Sequence, residues 1–279
     1  MDASVSVRNN GGAQVERAAR GSVMKGAARA GFAARGVIYL LVGVLALQIA
    51  FGDGGEQADR QGALGEIAQR PFGAVVLWAL GVGLAGMALW RLSEAAFGAA
   101  GSEGRTWKKR LPALARSVFY AFVAYSVLAL AAGSGDGGGS SDQQSKDVTA
   151  RALELPAGQW LVGLAGAGVA VAGLWIGFRA VTRSYHDKLR LGAMSRRTRR
   201  LVDVTGVGGG AARGLVFAAA GGFAIRAAVD YRPDQAKGFD DTLRSFAHTP
   251  AGPGLLAGVA AGLVLFGVFS FFMARWRKV

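Results

Sequence analysis

The chain has 279 residues, 52% of them hydrophobic, with a mean hydropathy of +0.31 and a formal charge of +14 at pH 7. It contains no cysteine, which excludes a disulfide framework and thiolate chemistry. Its apolar residues fall in six blocks of about 20, the length that crosses ~30 Å of hydrocarbon at ~1.5 Å per residue, and this argues against a soluble domain with a dispersed core.

Residues 1–28 are polar and basic and lack a compact apolar run before a small-residue cleavage site. They read as a flexible cytoplasmic segment and not as a cleaved signal peptide, so the first membrane helix directs insertion. The blocks follow at 35–52, 73–92, 113–132, 158–178, 210–229 and 252–273. Backbone amides there have no water to bond, so each is predicted to be a helix. Three connections carry short helical pieces, "ALGEIAQR", "VTARALEL" and "DTLRSFAH", the second after a low-complexity stretch, "GSGDGGGSSDQQSKD" (133–147), read as a flexible insertion.

A motif recurs at the head of each odd-numbered helix: Ala34-Arg35-Gly36 with Tyr39, Ala115-Arg116-Ser117 with Tyr120, and Ala212-Arg213-Gly214 with Phe217. A second mark, Pro-x-Gly, precedes each even-numbered helix at Pro71, Pro156 and Pro250, where a proline suits the first helical turn. Nineteen residues beyond each proline stands an aromatic, Trp90, Trp175 or Phe269, about 28 Å further along a helix. Three landmarks in fixed order, three times, define an internal repeat of two helices: residues 29–98, 112–189 and 204–279. Each repeat enters the membrane in the same sense, as parallel repeats about an axis along the membrane normal do. The expected fold is an all-α membrane protein, six transmembrane helices forming three hairpins with pseudo-threefold symmetry. Gly206, Gly210, Gly214, Ala218 and Gly222 form a ridge for close packing, and Gly258 and Gly262 a shorter one.

The stretches "ARAGFAARGVIYLLVGVLAL" and "RPFGAVVLWALGVGLAGMALWRL", with two weaker echoes of each, resemble an uncharacterised bacterial integral-membrane family. Its domain of unknown function is a transmembrane helix pair present three times per protein. The resemblance implies fold and membrane location and supplies no activity. Such repeats often close their first helix with an arginine. Arg226 fits that place, whereas Gln48 and Ala129 depart from it.

Charge gives an orientation. The N-terminal segment, the two loops on the same side and the C-terminus carry 24 of the 32 Lys and Arg residues but only 6 of the 18 acidic ones. The positive-inside rule puts that side, with both chain ends, in the cytoplasm of a bacterial cell, the spans lying in its plasma membrane. The same asymmetry accounts for the basic charge without nucleic acid, for which no binding module is present.

Arg35, Arg116 and Arg213 admit two readings. They are boundary anchors that snorkel with an aromatic at i+4 on the stem, or they form a symmetry-related ring that holds anions or lipid head groups. Arg226, near the other end of the fifth helix, either snorkels toward Asp230 or is functional. The basic loop 183–203, with Arg196, Arg197, Arg199 and Arg200, is a topology-setting loop or a surface for anionic lipid. Trp90, Trp175 and Trp276 are expected interface anchors.

No metal or cofactor site is expected. The acidic loops lack the alternating oxygen ligands of a calcium loop, and His186 and His248 fall on opposite membrane sides. "TGVGGGAARG" lacks the Lys-Ser/Thr of a phosphate loop. With no nucleophile–base constellation, an enzyme is not expected. The expected function is a non-catalytic scaffold or assembly partner, with membrane lipids and a possible membrane protein as partners. The alternatives are passage of a small neutral or anionic solute, and binding of anionic lipid.

Overall fold

The structure, a computed structural model, describes residues 3–52, 57–97, 107–133, 141–249 and 252–278. Pro250 therefore lies outside the described residues, as does most of the glycine-rich start of the 133–147 stretch. Six long helices carry the fold: α1 (Ala3–Phe51), α3 (Gly73–Phe97), α4 (Trp107–Ala131), α6 (Gly158–Val181), α7 (Arg196–Val229) and α9 (Gly252–Trp276). Each contains a segment long and apolar enough to cross a membrane. The short helices α2 (Arg60–Ala68), α5 (Ser141–Leu153) and α8 (Phe239–Ala247) lie in the three connections where short pieces were expected. The chain is a multi-pass, all-helical membrane protein.

Three local differences from the sequence reading have physical causes. Residues 3–28, expected to be flexible, are helical and continuous with the first span, since no proline interrupts the chain before Pro71. Helix α5 begins at Ser141, so the second half of the 133–147 stretch is helical; Asp142 sits in its first turn and Arg151 in its last, each favourable to the helix dipole. The Pro-x-Gly marks at Pro71 and Pro156 are turns ahead of their helices and not first turns, and α3, α6 and α9 all start at the glycine. The glycine N–H donates to the carbonyl three residues back at 2.8 Å in all three copies (Gly73 to Arg70, Gly158 to Leu155, Gly252 to Thr249). In the two copies described in full, the residue between proline and glycine is left-handed, Phe72 at φ 64° and Ala157 at φ 61°. A Cβ on any of the three glycines would run into a carbonyl from the preceding short helix, Ile67, Ala152 or Ala247.

The six helices form a ring in chain order. Its principal interfaces join the second helix of one repeat to the first helix of the next: α3 to α4, α6 to α7, and α9 back to α1. That cyclic pattern is what a pseudo-threefold axis requires. Small residues make the approach possible. A Cβ at Gly214 would lie 2.7 Å from the Gly173 carbonyl oxygen, and one at Gly267 would lie 2.9 Å from that of Gly36. The predicted ridge on α7 packs on α6 through Gly210 and Gly214, and continues at Gly221, since Gly222 meets open space.

Within repeats the packing is uneven. Helices α1 and α3 touch directly, as do α7 and α9, through Gly83 against Ala30 and Ala34, and Gly262 against Gly208 and Ala212. Helices α4 and α6 form no comparable interface. The cause is legible in α4, the one spanning helix without glycine, which instead presents Phe119, Tyr120 and Phe122 on the side of the gap. The ring is open between α4 and α6.

These contacts predict unequal effects of glycine replacement. Gly214→Val should cost about 1–3 kcal/mol by overpacking α6 against α7. Gly258→Ala, whose Cβ would meet nothing within 4 Å, should be neutral or stabilising by up to about 1 kcal/mol. Thermal unfolding of the purified protein in detergent distinguishes the two.

Candidate functional site

The gap leads into a cavity of about 850 Å³ bounded by α1, α4, α6 and α7 and roofed by the short-helix end of the ring. Its side walls are largely apolar, with Val42, Val123, Val162, Val216, Phe217 and Ala220, whereas Asp59, Arg60, Gln61, Gln144, Thr149 and Lys237 line the roofed end. It runs along α7 from Arg213 to Ala224, eleven residues or ~16 Å. Phe119 on α4 and Leu161 on α6 line it and are 58% and 51% exposed, so the opening faces the surroundings of the helices, where the bilayer lies.

Two guanidiniums stand at one end of this apolar space, Arg35 and Arg213. Arg35 donates from Nε to Ser270 Oγ at 3.1 Å, lies over the rings of Phe32 and Phe266, and reaches the Tyr120 hydroxyl. Arg213 lies over Tyr39, Phe217 and Phe266, and its Nε is buried without a hydrogen-bond partner. Among the described residues neither guanidinium meets a carboxylate at ion-pair distance. Ser270 is six residues before the end of α9, so Arg35 sits ~9 Å inside that end. These side chains turn into the protein and do not snorkel.

Of the three repeat arginines, the structure thus brings two together. Arg116 is exposed and lies among Arg91, Glu94 and Arg179 at the basic end, outside the cavity. Arg226 is exposed too, 3.5 Å from Asp230 and away from the cavity. Of the tryptophans, Trp175 is 57% exposed and stacks on Phe178, and Trp276 lies under Arg275, whereas Trp90 is only 4% exposed and occupies the interior. Arg196, Arg197, Arg199 and Arg200 occupy the first turns of α7, all exposed, behind the Ser195 cap. Three of them, with Arg183 and Asp203, rim a surface depression of about 570 Å³. The loop before them is pinned under the bundle: His186 Nε2 lies 2.5 Å from Asp203 Oδ1, Tyr185 packs on Phe269, and the Arg190 N–H donates to the Trp276 carbonyl at 3.0 Å.

The opposite end carries the densest group of carboxylates among the described residues. Asp142, Asp240 and Asp241 bring oxygens within 4.8 Å of one another, with Asp59 close by. Each already has a partner from the protein. Asp59 caps α2 through the N–H groups of Gln61 and Gly62. Asp240 accepts from the Ala58 N–H at 2.8 Å and from Arg244 Nε at 2.7 Å. Asp142 accepts from the Asp241 N–H, and Lys146 pairs with Asp241 at 2.9 Å. The cluster ties the three short helices to one another. Burial pushes the Asp142 carboxyl up to about 6, its acidic neighbours add to this, and the hydrogen bond from Asp241 works against it.

Sequence reasoning missed Tyr39 and Tyr120 as walls of the cavity, although both were already in the repeat motif, and it missed Ser270 altogether. Ser270 takes the place after the aromatic landmark that Arg91 and Ile176 hold in the other copies, a polar residue facing an arginine from the neighbouring repeat.

Comparison with known proteins agrees with this architecture. The model of the family described as Domain of Unknown Function (DUF1206) matches three times, over residues 30–98, 111–183 and 208–277. The chain is 32% identical over 253 residues to the uncharacterized protein YxxB of Bacillus subtilis (strain 168), a match covering 90% of each chain. No solved structure matches.

The raised Asp142 carboxyl predicts a pH dependence. Folding favours its protonated form, so the stability it contributes is complete below about pH 4 and is lost as the pH rises through about 6. The thermal midpoint should fall between pH 5 and pH 7, and Asp142→Asn, which keeps the acceptor, should flatten that fall. An unchanged fall in the variant would remove Asp142 as its source.

Proposed function

The chain belongs to the DUF1206 family, and from that membership and the cavity we propose that it is a non-catalytic protein of the bacterial cell membrane that binds an anionic, chain-bearing amphiphile. The amphiphile enters from the bilayer between α4 and α6. Its charged group meets Arg35 and Arg213, and its chain lies along the apolar face of α7. The observation that carries this reading is a pair of guanidiniums, without carboxylate partners among the described residues, at the end of a largely apolar cavity open to the side.

The physical argument is one of compensation. A charge removed from water costs several kcal/mol unless paired, and aromatic faces return only about 0.5–2 kcal/mol each. An anion at Arg213 would satisfy its free Nε–H and gain charge-assisted hydrogen bonds from both guanidiniums. An acyl or alkyl chain fits along the α7 face of the cavity, which offers no polar group between Arg213 and Ala224 other than backbone, and ends short of the polar roof. The charge asymmetry of the loops supports an orientation with the arginine end toward the cytoplasm, and hence a ligand drawn from lipid bearing its charge on that side. A scaffold needs neither an open hairpin nor inward-facing arginines, and binding accounts for both.

The test is retention of lipid after mild detergent extraction, read by native mass spectrometry. The wild type should carry anionic phospholipid at about one per chain. Arg35→Gln with Arg213→Gln should lose it while remaining folded, and Val169→Trp, which narrows the opening, should lower its occupancy. Arg116→Gln and Arg226→Gln should retain it. Absence of lipid from the wild type, or equal occupancy in the double variant, would overturn the proposal.

A further inference from the structure

Beyond the cavity, guanidiniums and aromatic rings alternate, each ring shared by two arginines. Arg213 and Arg35 each lie 5.1 Å from the Phe266 centroid. Arg35 and Arg277 lie 4.8 and 5.0 Å from the Phe32 centroid. Arg277 and Arg91 lie 4.7 and 4.2 Å from the Trp90 centroid. The order is Arg213, Phe266, Arg35, Phe32, Arg277, Trp90, Arg91, drawn from α7, α9, α1, the residue after α9, and α3. The first and third repeats meet in it, and the second contributes none of the seven.

The stack is short of negative charge. Among the described residues the one carboxylate bonded to it is Glu94, 2.6 Å from Arg91 Nη1. Four guanidiniums thus stand against one carboxylate, and Arg91 itself is only 8% exposed. The Nε atoms of Arg213, Arg277 and Arg91 are all buried without a hydrogen-bond partner. Ring quadrupoles stabilise each cation locally but leave its charge in place. The field of Arg277 is therefore felt at the cavity, since Arg277 and Arg35 flank one ring and stand within about 10 Å of each other, whereas Arg91 is offset by Glu94.

We infer that this guanidinium–aromatic stack makes the cavity select a doubly charged, phosphomonoester head group over a singly charged phosphodiester one on the same chains. The inference rests on the amphiphile-binding reading and adds to it the charge class of the ligand. Arg277 acts as a positioning charge that does not touch the ligand, and Arg91, paired with Glu94, holds the far side of the Trp90 ring. At an effective dielectric constant of about 20, a unit charge about 10 Å away favours each additional ligand charge roughly tenfold.

The experiment uses the full chain, delipidated in detergent, with phosphatidic acid and phosphatidylglycerol of matched acyl chains, and reads occupancy by native mass spectrometry. At pH 8 the wild type should prefer phosphatidic acid roughly tenfold. That preference should shrink at pH 5, where the phosphomonoester regains its second proton, whose pKa is about 6. Arg277→Gln should weaken phosphatidylglycerol binding about tenfold and phosphatidic acid binding about a hundredfold, so that the preference at pH 8 falls to about twofold or less, and Arg277→Lys should restore it. Equal occupancy by the two lipids at pH 8, both abolished by Arg213→Gln, would overturn the selectivity and leave the binding site standing. A preference unchanged by Arg277→Gln would remove the stack as its cause. Binding of neither lipid by the wild type would instead reject the underlying reading. Should Arg277→Gln fail to fold, the pH arm on the wild type still decides, because a preference that persists at pH 5 overturns the inference.

Discussion

The architecture depends on backbones of consecutive repeats coming close enough to touch. In hydrocarbon there is no hydrophobic gain from pressing one apolar helix on another, so association rests on packing, and packing rests on small residues. Gly36 against Gly267, Gly173 against Gly214 and Gly166 against Gly221 are those contacts, at the joins of the third repeat with the first and of the second with the third. On the side of α4 that faces α6, where aromatic side chains stand and no glycine does, the helices separate and the interior becomes accessible from the side. One sequence difference between otherwise equivalent spans thus turns a closed ring into one with a door.

The interior charges follow from that opening. An arginine within a span is tolerated when it faces protein, and here Arg35 and Arg213 are held by aromatic faces, a serine and a tyrosine and not by carboxylates. Their equivalents by symmetry are not equivalent in surroundings. Arg116 belongs to the helix that stands apart from its hairpin partner, and its side chain goes to the basic end among Arg91 and Arg179. The broken symmetry opens the interior between α4 and α6, where the other two hairpins are closed by direct helix contact.

Much of the fold was legible in the sequence because bilayer thickness leaves little freedom: runs of about 20 apolar residues have one structural solution. The three arginine motifs and the three Pro-x-Gly turns fixed the repeat for the same reason, each answering a local backbone or boundary requirement. The site was legible only in part. Arg35 and Arg213 stood out, but their direction did not, since a guanidinium at a helix head can point outward or inward at similar cost until its neighbours are known. Phe32, Phe266 and Arg277 gave no periodic signal, because they meet through tertiary packing across 230 residues or more of sequence. Trp90 read as a boundary residue from its spacing, and its burial between Arg91 and Arg277 depends on where the C-terminal residues fold back. The absence of glycine from α4 was the one visible sign of the opening.

The unit that is repeated in the chain and the unit that holds the protein together are out of phase by one helix. A copy consists of two spans in succession, but the strongest adhesion joins the tail of one copy to the head of the next, with α9 returning to α1. An isolated copy therefore exposes two unmatched faces and has no reason to persist alone, and adding or deleting a copy would alter the turn needed for closure. A cut between copies would sever the tightest joints, whereas a break in the connection between α4 and α6 would leave every one of them intact. Triplication is then a geometric requirement of a self-terminating circle, in which the copy number is set by the angle at each joint.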